Sequence, residues 1–381
     1  MMEVEALAAF ELWVDDKGEA KGPTSNISHP RQQAGTTLSE ARSNLAYFRR
    51  ILEEEAAEAD DEAQADEETM ESDEEARIAR LFHDDWMAVW SRHHAKLRPM
   101  RFTFRPPQEY SAFPMSTLQF FSIKVAGIKR GSGLQWPLDV FGMVAVRDSI
   151  DYNRNVIFSR TRNRCQTVTK EDPYLVLAGP TRAVVWQDFL AVEVMLKVKG
   201  TTESEDKELS FLAVPLACSH ASYPYGFQCY KTSQRSTLRF ALGHIVRSAE
   251  ATIFVRIAEG SWPDGLCGQF DAFTTGIRDE TVTGIDHEKI TLLDSKAEKV
   301  PVNCDGEIML SRRVVSVETT GKLKILVKAF QASESGENSA EDELVMIPQE
   351  ANISFANLNV GFCKMGVTVA WSLISYHEYH E

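Results

Sequence analysis

From Leu118 onward, short apolar runs rich in Val, Ile, Phe and Thr alternate with clusters of Gly, Pro, Asn and Asp. Alternation with a period of two, broken at intervals by turn formers, is the mark of half-buried antiparallel strands. It predicts strands over residues 118–126, 141–147, 156–159, 174–178, 183–185, 191–199, 211–214, 238–242, 251–257, 269–274, 289–293, 306–310, 314–317, 323–329, 344–347 and 366–371. Helix-length amphipathic patterns are missing from this region. The fold class is therefore mainly β, an antiparallel β-sandwich-like body.

Upstream the period changes. Thr37-Leu-Ser-Glu40 has the spacing of a capping box, and behind it Leu38, Ala41, Leu45, Phe48 and Leu52 fall on one helix face. A second capping box, Ser72-Asp-Glu-Glu75, opens a stretch in which Ile78, Leu81, Phe82, Trp86, Val89 and Trp90 trace another face, predicting a second helix to about Lys96. Between them Glu53–Glu75 holds fourteen acidic residues and no Lys or Arg, so like charges repel and no apolar face is available to dock. The expected organisation is a flexible leader over 1–36, two helices joined by an acidic linker over 37–97, an extended Pro-rich connector over 98–114, and two β units over 110–217 and 237–375.

The two β units share a word order. The first runs Ile123-Lys-Val-Ala, Trp136-Pro137, Gly142, Tyr174-Leu-Val-Leu, Ala183-Val-Val and Ala191 to Lys199. The second runs Ile253-Phe-Val-Arg, Trp262-Pro263, Gly268, Glu307-Ile-Met-Leu, Arg313-Val-Val and Leu323 to Lys328. Glycine follows tryptophan by six residues in both, which predicts two tandem pseudo-repeats with the Trp covering one end of each core.

Charge narrows the partners. The net charge is −15, and nearly all of it belongs to the acidic run, so the β body is close to neutral and offers no basic stripe for nucleic acid. No apolar run reaches the 18 residues of a membrane span, and Glu3 and Glu5 stand where a secretory signal needs positive charge. Six scattered cysteines without CxxC spacing suit reduced thiols. These features predict a cytoplasmic protein, with a nuclear location also compatible, that is not secreted.

Several segments resemble a catalogued grass protein family: Leu118–Gly127, Trp136-Pro-Leu-Asp-Val-Phe-Gly, Leu177-Ala-Gly-Pro-Thr-Arg, Gly243-His-Ile-Val-Arg-Ser, Gly260-Ser-Trp-Pro-Asp-Gly, Leu310-Ser-Arg-Arg-Val-Val and Met365-Gly-Val-Thr-Val-Ala-Trp. The family is domain of unknown function 6598, and the resemblance covers about residues 110–375. It carries no assigned activity. Some members hold this domain beside a ribosome-inactivating N-glycosidase, so the resemblance implies a stress or defence setting. The first hundred residues are too short for that enzyme and lack its Glu-Ala-x-Arg helix, so rRNA depurination is not implied here.

Candidate chemistry is sparse. Asp139, Asp148, Asp151 and Asp172 fall at strand ends of the first unit, where loop carboxylates of calcium-dependent membrane-binding sandwiches also lie, although Asp is an ordinary turn residue. Arg182, after Gly179-Pro180-Thr181, could present a guanidinium to an anion, and Arg312 and Arg313 sit at the matching point of the second unit. Cys218, His220 and Cys229 offer three soft ligands with no fourth, and Ser219–Gly226 reads better as a loop. His93 and His94 close the second helix, and His377 and His380 lie at the end of the chain. Phosphate-loop, dinucleotide, serine-hydrolase and HExxH motifs are all missing. The expectation is a non-catalytic binding or regulatory module without cofactor, recognising a protein or a small anionic ligand. The alternatives are a hydrolase with a cleft between the halves, and a calcium-dependent membrane binder.

Overall fold

The structure, a computed structural model, describes residues 74, 77, 79–81, 83–84, 94, 97–108, 111–150, 153–187, 189–218, 221–275, 285, 287–296, 298–331 and 340–375. The body is almost wholly β, with short 3-10 turns at Arg162–Arg164 and Glu203–Glu205. Its strands are β1 (Met115–Ile128), β2 (Leu138–Arg147), β3 (Asn155–Arg160), β4 (Gln166–Val168), β5 (Val184–Val185), β6 (Leu190–Val198), β7 (Lys207–Leu216), β8 (Tyr225–Thr232), β9 (Ser236–Gly260), β10 (Leu266–Thr275), β11 (Ile290–Asp294), β12 (Val314–Glu318), β13 (Lys322–Gln331), β14 (Ala340–Met346), β15 (Ile353–Asn359) and β16 (Cys363–Ser372). All the named strand pairings are antiparallel.

The strands form three sheets. A central sheet runs β15–β16–β9–β1–β5, with β8 and β12 also on β9; a second runs β11–β10–β13–β14; a third runs β3–β2–β6–β7, with β4 beside β2. Alternation decides which side chains enter the cores. In β13, Leu323, Ile325, Val327 and Ala329 point in and the lysines 322, 324 and 328 point out, as a half-buried strand requires. The first core joins β1 and the leading half of β9 to β2, β3, β6 and β7. The second joins the trailing half of β9 and β16 to β10, β11 and β13. Phe121 of β1 and Ala241 and Ile245 of the leading half of β9 also enter the second core.

Strand β9 is where the sequence reading needs the largest correction. Two strands, 238–242 and 251–257, are one strand of 25 residues. The stretch Gly243–Glu250 suggested a break because it is polar, but its polar groups are satisfied inside the sheet. Ser248 Oγ lies 2.8 Å from Thr117 Oγ1 and donates to the Met115 carbonyl at 2.9 Å, and Glu250 accepts N–H bonds from Met100 and Ala183. A bulge marks the midpoint: Arg247 has φ 42°, and the register of β1 shifts between Met115/Ser248 and Thr117/Ile245.

Three strands escaped the pattern, namely β4, β8 and β15. Residues 174–178 and 306–310, read as strands, make isolated bridges instead: Tyr174 to Lys124, Glu307 to Arg256, and Ile308 to Val302. In the first case the Gln166 side chain takes the backbone groups a strand partner would use, donating to the Tyr174 carbonyl and accepting from the Val176 N–H. The two predicted helices are not seen as such. The first lies outside the described residues, as do the leader and, apart from Glu74, the acidic run. Of the second, Glu74, Arg77, Ala79–Leu81, His83 and Asp84 are helical. It does not continue to Lys96, because His94 pairs with Arg154 in a parallel bridge. The helical segment sits on the third sheet, with Ala79 buried, the His83 ring 5.5 Å from Phe211, and His83 Nε2 3.4 Å from Glu193. Residues 98–114 are not simply extended either. The Met100–Thr103 turn is tied to the sheet end by Phe102 N–H to Ser372 Oγ (2.9 Å) and Thr103 Oγ1 to the Trp371 carbonyl (2.8 Å).

A buried ion network backs the third sheet. Glu193 accepts two bonds from Arg154, at 2.8 and 2.5 Å, and lies 3.4 Å from Arg147 Nε. Burial alone would push its carboxyl up, but the Arg154 hydrogen bonds and the charges of Arg154, Arg147 and His83 outweigh that and hold it below the usual range.

Asp271 on β10 is the reverse case. Its side chain is sealed, Oδ1 has no hydrogen-bond partner, and burial pushes its carboxyl up to about 6 against the pull of Lys289, 3.8 Å away. Because the folded value lies above the ordinary 3.8, the contribution of protonated Asp271 is complete below about pH 3.8 and is lost as pH rises through about 6. Asp271→Asn is expected to be more stable than the parent at pH 8 by about 3 kcal/mol and equal to it at pH 4. Urea unfolding at the two pH values checks this, and an equal or lower stability of the variant at pH 8 would contradict it.

Candidate functional site

The outer face of β15, β16 and the trailing half of β9 forms a trough. The inner residues of β16, Met365, Val367, Val369 and Trp371, serve the second core, which leaves Gly366, Thr368 and Ala370 facing outward. All three are small. Their neighbours are large: the register sets Phe355 and Phe254 either side of Thr368, and Asn357 and Arg256 either side of Gly366, with Ile353 beside Ala370. A small-residue floor between two taller walls is the physical origin of the depression. Its volume is ≈ 550 Å³, and Met100 and Phe104 from the tied-down connector close one end.

Two of the rings are held in water. Phe104 is 70% exposed and Phe355 75% exposed, although neither needs that position to complete a core. Phe254 is half-buried, and the Arg313 guanidinium stacks on its ring with the carbon 5.0 Å from the centroid. Arg313 also donates to Glu307 at 2.6 Å, and Asn303 reaches the other oxygen of that carboxylate.

Four of the five residues singled out from sequence lie among the described residues, and the structure scatters them. Asp148 and Arg182 are joined to each other. Arg182 Nη1 donates to Asp148 Oδ2 at 2.7 Å and Nη2 to Oδ1 at 2.8 Å, and the pair is buried. The remaining capacity of Asp148 goes to the N–H groups of Val185 and Ile150. Neither residue faces solvent, so this guanidinium meets no external anion and this carboxylate no calcium. Asp151 lies outside the described residues. Arg312 is buried and donates to three backbone carbonyls, those of Thr291, Phe120 and Phe121. Arg313 does not line the trough but braces two residues that do, Phe254 and Glu307. Of the other turn carboxylates, Asp139 accepts from Thr167 Oγ1 at 2.6 Å and Asp172 pairs with Lys296.

Cys218 and His244 come together without forming a reactive pair. The thiol donates to the Trp186 carbonyl at 3.0 Å and lies 3.8 Å from His244 Nε2. His244 sits edge-on to Trp186 and Tyr225, and burial lowers its pKa to about 4. At neutral pH the imidazole is uncharged, so it does not hold a thiolate as an imidazolium would. His220 lies outside the described residues, as do His93, His377 and His380. Among the described residues no three His, Cys, Asp or Glu side chains converge as a metal requires.

Comparison with known proteins adds the family. The model of the family described as Domain of unknown function (DUF6598) matches residues 117–369. The chain belongs to that family. The DUF6598 match runs from β1 to within β16, so it contains Phe254, Arg256, Phe355 and Gly366, whereas Met100 and Phe104 precede it. No curated protein matches the chain. Among solved structures it is similar to human GIVD cytosolic phospholipase A2, at 8% identity and a TM-score of 0.21, over 68% of this chain and 33% of that one. This chain thus spans a third of that protein's length, and the likeness carries no argument about fold or activity.

Sequence reasoning missed the trough because β15 was unread. Ile353-Ser-Phe-Ala-Asn-Leu-Asn carries two Asn residues and a Ser, and its exposed Phe355 contradicts an inward apolar alternation. A usable signal was present in β16, where every outward residue from Gly366 to Ala370 is small.

Proposed function

We propose that the chain is a non-catalytic binding module whose ligand occupies the trough over Gly366, Thr368 and Ala370. The observation that carries this reading is the pair of solvent-held rings, Phe104 and Phe355, beside a floor of small side chains. Exposed aromatic surface costs free energy in water, and a wall of it beside a concave floor matches the composition of recognition sites. An open trough without convergent carboxylates or an activated nucleophile favours binding over hydrolysis.

The body carrying this site is, on our reading, a duplicated sandwich. The pairing β5–β1–β9–β8 in the leading half has the same sequence of roles as β12–β9–β16–β15 in the trailing half, and β3–β2–β6–β7 matches β11–β10–β13–β14. We take the boundary to be the bulge at Arg247, so that β9 serves as the last strand of one copy and the first of the next. The trough belongs to the second copy alone, because the first has no Phe355 counterpart paired with a small-residue floor. The setting we propose is plant stress or defence in the cytoplasm, which rests on the resemblance to the grass family.

The test is differential capture from stressed leaf extract with the parent chain and Phe104→Ser/Phe355→Ser as baits. Because both rings are exposed, the double variant is expected to unfold within about 0.5 kcal/mol of the parent. Molecules retained by the parent are expected to be lost from the variant, and identical retained sets would refute the reading.

A further inference from the structure

The trough is not uniform along its length. The register gives three successive cross-strand rows on its surface: Ile353 and Ala370 at the Met100–Phe104 end, then Phe355, Thr368 and Phe254, then Asn357, Gly366 and Arg256. The first two rows are almost wholly apolar. The third is polar and charged. At about 3.4 Å per residue, Ala370 and Gly366 stand about 14 Å apart, so the gradient from apolar to polar extends over about that distance.

Charge at the polar end is unbalanced. Arg256 is exposed and lines the trough, and among the described residues no carboxylate lies within ion-pair distance of it. The carboxylates nearest in the fold are engaged. Glu307, the bridge partner of Arg256, is taken by Arg313 at 2.6 Å, and Glu259 by Lys364 at 2.6 Å. With those two pairs neutral, one guanidinium remains at the mouth of an apolar channel. Across Gly366 from it stands Asn357, whose amide side chain can add a further donor. A guanidinium presents a fork of N–H donors matched to the two oxygens of a carboxylate.

We propose that the trough binds a small amphipathic carboxylate, its apolar body lying along Ala370 and Thr368 between Phe355 and Phe254 and its carboxylate on Arg256. This inference rests on the trough being the binding site, and it adds the ligand class. The volume of ≈ 550 Å³ lies within the range of small-molecule sites. The apolar body displaces water from Phe355, Ile353 and Phe104, and the single cation sets the orientation and the preference for an anionic head.

The test uses the full chain and three probes with twelve-carbon chains, each below its aggregation concentration: dodecanoate, dodecanol and dodecyltrimethylammonium. Isothermal calorimetry is expected to rank them in that order of affinity for the parent. Arg256→Gln is expected to weaken dodecanoate about tenfold and leave dodecanol within about twofold, since only the headgroup contact is lost. Thr368→Trp, which fills the floor, is expected to abolish binding of all three, with circular dichroism and a urea midpoint confirming that it folds. If dodecanol binds the parent as tightly as dodecanoate, or if Arg256→Gln leaves dodecanoate unchanged, the carboxylate class is wrong while the trough stands. If no probe binds but the Phe104→Ser/Phe355→Ser bait loses a captured polypeptide, the occupant is a protein segment and the small-ligand proposal is overturned. If no probe binds and the bait loses nothing, the reading of the trough itself falls.

Discussion

Arg182→Met is expected to lower the unfolding free energy by about 3–5 kcal/mol, because it leaves a buried carboxylate without its cation. The pair it breaks is bidentate, with both Asp148 oxygens engaged at 2.7 and 2.8 Å. A second carboxylate also depends on Arg182. Burial pushes the Glu250 carboxyl up, while N–H bonds from Ala183 and Met100 and the charge of Arg182 pull it down. Removing the guanidinium therefore exposes two buried acids to each other's field and to the cost of desolvation. Asp148→Leu added to Arg182→Met is expected to recover part of the loss, since an apolar pair of similar volume avoids the orphaned charge. Urea unfolding followed by circular dichroism measures both. A loss under about 1 kcal/mol in the single variant, or a further large loss in the double, would show that this pair does not hold the junction of β2, β5 and β9.

How far the sequence could be read follows from what alternation encodes. Strands with clean in-and-out order, such as β13 with its lysines outside, were legible almost to the residue. Those with polar residues turned inward were not. Glu250 and Ser248 made the middle of β9 look like a loop, when in the fold they are hydrogen-bonded within the sheet. The Trp-to-Gly spacing was visible too, but its physical cause differs between its two occurrences. Gly142 has φ 118°, and a Cβ there would stand 2.1 Å from the Met195 carbonyl oxygen. Gly268 instead makes room for side chains, with Val300 Cγ2 at 2.4 Å and Trp262 Cζ2 at 2.8 Å from the place a Cβ would take. One letter in the same register thus serves a backbone need in one half and a packing need in the other. The trough was hidden for a related reason: it is made of outward residues, whose identity no core constrains, and its walls come from strands nearly a hundred residues apart in sequence.

Arg312 and Arg313 test this distinction side by side. As neighbours on one strand entry they point in opposite directions, and composition alone gives them one role. Arg312 is sealed inside and joins β1 to β11, donating at 2.6 Å to Phe120 and 2.9 Å to Phe121 on β1, and at 2.8 Å to Thr291 on β11. Burial lowers its pKa to about 10, which still leaves it charged at neutral pH. Arg312→Met takes this donor from three buried carbonyl oxygens, of which Phe120 keeps the Gln119 Nε2 donor at 3.0 Å; the other two cost about 1–3 kcal/mol each if left without a donor, and the change relieves the desolvation of one cation. The net expectation is a loss of about 3–4 kcal/mol. Arg313→Met gives up a half-exposed ion pair and a stacking contact on Phe254, so its stability is expected to stay within about 1 kcal/mol of the parent while the wall of the trough loosens. Unfolding midpoints for the two variants in one buffer decide the matter. Equal losses, or a larger loss for Arg313, would mean that β1 and β11 are not held together through Arg312.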